Sequence, residues 1–69
     1  MNFGRCLEIA LVKHQKKNVW LADKIGLTPT RIGHLRKSQH VNTVTLEKCA
    51  NAFGMTVVEF LQLEEKIDG

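Results

Sequence analysis

No catalytic carboxylate pair, no nucleophile beside a base and no phosphate-binding loop is apparent in the 69 residues of this chain, and its three histidines are scattered. That absence disfavours an enzyme. Length argues the same way, because one small domain has room for a single modest core but not for a core plus an enclosed active-site cavity. A binding module without a cofactor is expected instead. Cysteine is also scarce: Cys6 and Cys49 lack the paired spacing of a zinc site and fall on apolar helix faces, so they are expected as buried free thiols with no metal. No apolar run is longer than a few residues, and the start of the chain does not resemble a signal peptide. The expectation is a soluble, cytoplasmic protein with no membrane partner. There is also no internal repeat, low-complexity tract or linker, which leaves residues 1–69 as one domain.

Acidic residues are nearly absent from one half of the chain. From Lys13 to His40 stand Lys13, Lys16, Lys17, Lys24, Arg31, Arg36 and Lys37 against Asp23 alone, seven positive charges minus one negative. After position 40 the balance reverses, with Lys48 and Lys66 against Glu47, Glu59, Glu64, Glu65 and Asp68, two minus five. The net charge of +3 is therefore concentrated where an anionic partner would be drawn, although charge alone equally suits a solvated face.

Apolar periodicity predicts five helices and no strand, an all-α fold. Phe3, Leu7, Ala10 and Leu11 recur at three- and four-residue steps in a first helix over about 3–14, and a polar connector follows from Lys13 to Lys17. Asn18 is the expected side-chain cap of a second helix that runs to about Ile25 and stops at Gly26. Thr28 caps a third helix with Pro29 in its first turn, where a missing amide hydrogen costs nothing, and this helix ends near Arg36 or Lys37. Asn42 or Thr43 opens a fourth, with Leu46, Cys49, Ala50 and Phe53 inward and Gly54 as its stop. Thr56 followed by Glu59 is a capping box for a fifth, whose apolar residues are Val57, Phe60 and Leu61.

The stretch from Asn18 to Lys37 has the spacing of a helix-turn-helix. Two helices that cross steeply through a short turn need a small residue at their contact, a residue tolerant of positive φ at the bend, and an inward apolar pair on the second helix. Ala22, Gly26, Ile32 and Leu35 meet those needs. The spacing points to binding in the major groove of duplex DNA.

Three segments carry a family resemblance: Leu21-Ala-Asp-Lys-Ile-Gly-Leu-Thr28, then Arg31-Ile-Gly-His-Leu35, then Thr45-Leu-Glu-Lys-Cys-Ala-Asn-Ala-Phe-Gly-Met-Thr-Val-Val-Glu-Phe-Leu61. Together the run from Asn18 to Leu61 resembles the phage Cro and lambda-repressor-like helix-turn-helix family, often called XRE-type. The resemblance implies a compact five-helix domain that binds pseudo-palindromic operators as a homodimer. Pro29 and Thr30 match the positions at the start of the recognition helix that usually read bases, and His34 matches a third one turn later. Pro29 stands where close relatives have glutamine and offers only apolar contact. With the cap Thr28 and the outward Arg31, these form the expected base-reading set: Thr28, Pro29, Thr30, Arg31 and His34. Asn18 matches the usual glutamine that meets a phosphate at the start of the second helix, and Lys17, Lys37, Gln39 and His40 flank the same backbone track. Arg36 replaces an acidic residue that often pairs with an arginine of the first helix, where this chain has Leu11. Without that ion pair Arg36 is expected to be free to contact phosphate. Gly33, costly inside a helix, implies a close approach to DNA or to a packed neighbour.

Apolar residues exceed what one interior stripe needs. Ile9 and Val12, Val19 and Trp20, and Leu63 are the surplus. Trp20 fits either the edge of the core or a partner surface, and Leu61 and Leu63 are candidates for a dimer contact. Two functions from different classes follow: a transcriptional regulator of the Cro type that occupies a DNA operator, or an interaction module of the same fold, such as an antitoxin, that binds another protein.

Overall fold

The first helix begins where Asn2 turns its side-chain oxygen back onto the Arg5 amide at 3.1 Å, satisfying one of the donors that every helix start leaves open. The structure, a computed structural model, describes residues 2–67 and the side chains of 2–65. Helix α1 (Phe3–Lys13) buries Phe3, Cys6, Leu7, Ala10 and Leu11 along one stripe. It ends without glycine: Gln15 takes a positive φ of 55°, and the Gln15 and Lys16 amides donate back to the Val12 and Leu11 carbonyls at 3.1 and 2.9 Å. This is a Schellman closure in which a polar side chain occupies the left-handed position that glycine usually fills.

Helix α2 (Asn18–Ile25) is joined to α3 (Pro29–Lys37) by Gly26, Leu27 and Thr28. Gly26 adopts the left-handed conformation at φ 74°, which lets the Leu27 amide reach the Ala22 carbonyl at 2.9 Å and turns the chain at once. Thr28 Oγ1 then accepts from the Arg31 amide at 3.2 Å, with Pro29 at the first helical position. Helix α4 (Thr43–Ala52) opens on Asn42, whose Oδ1 accepts from Thr45 at 2.8 Å. Helix α5 (Val57–Leu61) opens on the expected capping box, Glu59 N to Thr56 Oγ1 at 3.1 Å and Thr56 N to Glu59 Oε1 at 2.9 Å. The five expected helices are present and no strand occurs among the described residues. A short sixth segment, α6 (Leu63–Ile67), follows a one-residue break at Gln62.

One expectation is corrected here. Asn18 is not the cap of α2: Lys17 holds the extended cap position and makes no side-chain capping bond, while Asn18 is the first helical residue. Its side chain is used elsewhere, as described below.

Helix α1 is the central strut, packed on α3, α5 and α6, while α2 packs on α3 and α4. The fully buried Phe3, Leu7, Leu21, Ile32 and Phe60 fill the space between them. Phe60 lies 5.9 Å from Phe3 and 6.3 Å from Phe53 between ring centroids. Trp20 takes the first of its two expected places, at the edge of the core: it is half-buried, 5.3 Å from the Phe53 ring, with the Lys16 and Lys24 ammonium groups 5.3 and 5.8 Å from its own ring centre. Leu63 is only 3% exposed and belongs to this core, so it is withdrawn as a candidate for a dimer contact. Leu61, half-buried, accepts a hydrogen bond from the Cys6 thiol through its carbonyl at 3.6 Å.

Both cysteines are buried free thiols. Burial pushes each thiol up from its ordinary value of 9.0, Cys49 to about 11. A thiol raised in the folded state holds its proton there and gives it up on unfolding, so its contribution is complete below pH 9 and fades as pH climbs toward about 11. Urea midpoints followed across that range are expected to fall more steeply for the native chain than for Cys49→Ala. Equal slopes would mean that Cys49 ionises as readily folded as unfolded.

A candidate nucleic-acid interface on the third helix

Two residues decide which way α3 faces. Ile32 is fully buried and Leu35 is 5% exposed, so the helix is held by the side that carries them. At helical spacing this turns Thr30, Arg31 and His34 outward, and all three are exposed, as are Thr28 and Pro29. Thr30 and His34, four apart, lie one above the other on a single strip. Thr28 is exposed but its hydroxyl oxygen already accepts from Arg31 N, leaving its O–H as the free donor. No acidic side chain occurs anywhere on the helix, which reads Pro29-Thr-Arg-Ile-Gly-His-Leu-Arg-Lys37.

The segment after α3 is fixed by the start of α1. Ser38 closes the helix with its hydroxyl on the His34 carbonyl at 3.1 Å. The carbonyls of Ser38 and Gln39 then accept from the Gly4 and Phe3 amides at 2.7 and 3.1 Å, which satisfies two more open donors of α1. Gln39 and His40 remain exposed beyond this clamp. The clamp explains why glycine stands at position 4. A Cβ there would lie 2.3 Å from the Arg36 carbonyl oxygen and 2.6 Å from that of Ser38.

Asn18, Gly33, Arg36 and Lys37 come together with Glu8 around one open cleft between α1, α2 and α3. Arg36, half-buried, sends Nη1 to Asn18 Oδ1 at 3.0 Å, and its Nη2 lies 3.8 Å from Glu8 Oε1. The expectation that Arg36 has no ion-pair partner on the first helix is thus corrected: the partner is Glu8, one turn before Leu11. Nothing local announces it, since the two residues are 28 positions apart and the pair is loose and largely solvated. Lys17 and Lys37 are exposed, next to Asn18 and Arg36 in the chain.

Gly33 has no packed neighbour that requires it. The nearest atom to a Cβ built there is Asn18 Nδ2 at 4.0 Å, an ordinary contact. Gly33→Ala is therefore expected to raise the stability of the free protein by up to about 1 kcal/mol, the helix-propensity difference, in a chemical denaturation experiment. A loss of stability would reveal a constraint on α3 other than packing.

Among the described residues, no group of three or more histidine, cysteine, aspartate or glutamate side chains is placed to hold a metal ion, and no helix is long and apolar enough to cross a membrane. Lys66 and Asp68, counted in the acidic part of the sequence, lie outside the described side chains. Compared with protein-family models, with curated proteins and with solved structures, the chain matches none.

Proposed function

We propose that this chain is a sequence-specific, double-stranded-DNA-binding transcriptional regulator that lays α3 in the major groove, acting as a repressor of the Cro type. One observation carries the reading: a helix anchored by two buried residues presents threonine, arginine and histidine outward and has no acidic side chain along its length. Side chains of those three kinds match base edges in the major groove, threonine to either base or a thymine methyl, arginine and histidine to guanine acceptors. Lys17, Asn18, Lys37, Gln39 and His40 flank that helix and suit the phosphate track on either side.

The helix has nine residues and is about 14 Å long, enough to read only a few base pairs. A regulator of this size gains a useful site by binding as a twofold dimer to half-sites about 34 Å apart, one turn of DNA. Selection of bound duplexes from a random pool tests the whole reading. Recovery of a two-part site that takes up two protein chains supports it, and tight binding of one chain to a single half-site argues against the dimer.

Phosphate contact has its own signature. Replacing Lys37 by alanine is expected to weaken binding to preferred and scrambled duplexes alike and to make the logarithmic salt slope shallower by about one unit. Gly33→Ala is expected to weaken duplex binding too while stabilising the free protein, because the added methyl stands on the face that approaches DNA.

A second reading, an interaction module of the same fold that binds a protein partner as antitoxins do, has Val12 and Val19 in its favour, exposed by 70% and 64%. Duplex binding that is weak and indifferent to salt would favour it.

A further inference from the structure

Asparagine at the start of α2 can present either of two faces to an approaching phosphate. Turned one way its amide N–H groups donate, and turned the other way its carbonyl oxygen repels the anion. The two orientations differ by half a rotation about one bond, so something nearby must choose between them. Among the described residues the one side-chain partner of Asn18 is Arg36, whose Nη1 lies 3.0 Å from Asn18 Oδ1. A guanidinium donates and never accepts, so the oxygen must be the atom facing it and Nδ2 must face away. Nδ2 lies 4.0 Å from the place a Gly33 side chain would begin, and it makes no hydrogen bond among the described residues. The cleft on that side is left open by the glycine and is lined also by Lys37.

We propose that Arg36 is a positioning residue for phosphate binding: its fork, with Glu8 Oε1 3.8 Å from its other terminal nitrogen, turns the Asn18 amide so that Nδ2 donates into the cleft beside Gly33 and Lys37, and Arg36 itself does not touch the phosphate. This rests on the DNA-binding reading above. The division of labour follows from where the charges are. Glu8 lies 3.8 Å from the other terminal nitrogen, so Arg36 already faces an acidic neighbour, whereas Lys37 is exposed and has no ion-pair partner among the described residues. The guanidinium spans two elements, α1 through Glu8 and α2 through Asn18, from a backbone position on α3. It thereby sets the geometry of the cleft as well as the rotation of the amide. A planar fork with two separate terminal nitrogens is needed for this, and lysine, with one, cannot serve both partners.

The test uses the full chain and the duplex recovered by selection with it, with affinity read at several salt concentrations. Asn18→Ala is expected to lose about tenfold in affinity, the worth of one hydrogen bond to a charged group. Arg36→Lys, which keeps the positive charge, is expected to lose about as much with an unchanged salt slope, and to add less than about twofold when placed on Asn18→Ala. The charge-neutral pair Glu8→Gln with Arg36→Gln is expected to behave as Arg36→Lys does, again with the native slope. Thermal unfolding of each variant confirms that it is folded, and Arg36→Lys decides the matter if the double variant is not.

Arg36→Lys at native affinity would overturn the proposal, because lysine is itself a good point-charge ligand for phosphate and would replace a direct contact. So would a salt slope shallower by about 0.9 in the charge-neutral pair, or a full tenfold loss from Arg36→Lys on top of Asn18→Ala. If the native chain shows no salt-dependent duplex binding at all, the DNA-binding reading falls and takes this inference with it. That outcome is distinct from a native chain that binds while its Arg36 variants bind equally well.

Discussion

Gly4→Ala is expected to cost about 3 kcal/mol of folding stability, the upper end of what overpacking costs a small domain. The added methyl would sit 2.3 Å from the Arg36 carbonyl oxygen, 2.6 Å from the Ser38 carbonyl oxygen and 2.8 Å from the Arg36 carbonyl carbon. All three are backbone atoms, so no side chain can swing aside. Relief requires α1 to draw back from the end of α3, and the amides of Phe3 and Gly4 then lose the Gln39 and Ser38 carbonyls at 3.1 and 2.7 Å. Leaving such groups unpaired adds to the steric cost. Urea denaturation of Gly4→Ala beside Gly33→Ala makes the comparison, since the same substitution is expected to move the midpoint down in one case and up in the other. A Gly4→Ala midpoint equal to the native one would mean that α1 and α3 have slack where they appose. The same contact ties stability to the proposed interface, because Ser38 and Gln39 lead directly into His40.

Base reading should fail selectively when the outward strip of α3 is cut back. Alanine at Thr30 or at His34 is expected to cost about 1 to 3 kcal/mol on the preferred duplex and to relax preference at particular base pairs. Neither change should disturb the fold, since both side chains are exposed and the buried Ile32 and Leu35 that anchor the helix are untouched. Specific and scrambled duplexes must be compared, because only a change in the ratio reports readout. A pair of variants that bind more weakly but rank the sequences as the native chain does would move α3 from reading bases to touching the backbone. A pair that bind both duplexes with native affinity would remove α3 from the interface.

Much of the fold was legible because its signals are local. Asn42, Thr56 with Glu59, and Thr28 with Pro29 each act within three residues of themselves, and each makes the capping contact its type predicts. Gly26 is of the same kind, since a left-handed φ is a property of one residue. The inward set Ala22, Ile32, Leu35, Leu46, Cys49 and Ala50 followed from periodicity, which records burial one face at a time. Asn18 misled because asparagine is a good cap in isolation, but here a better donor, Arg36, engages its oxygen from another helix. Gln15 gave no sign that it would adopt positive φ, because glutamine, unlike glycine, has no preference for the left-handed region that would mark it as a helix stop.

The residues on the outward side of the third helix were readable for a related reason. Once Ile32 and Leu35 are assigned inward, helical geometry leaves Thr30, Arg31 and His34 nowhere else to go. The cleft was not readable. Glu8 and Arg36 meet across α1 and α3, and Gly4 is required by a carbonyl more than thirty residues away, so neither need is written near the residue that meets it.

What the chain determined by itself, then, is helices α1 to α5, most of their ends and the face each one buries, because caps, turns and periodicity act over distances of one or two turns. The tertiary structure alone decided that a Cβ at Gly4 would clash while one at Gly33 would not, that Leu63 belongs to the core, and that Arg36 is shared between Glu8 and Asn18. Each of those depends on which atoms of distant segments come within a few ångströms of one another, and that is set by how whole helices pack.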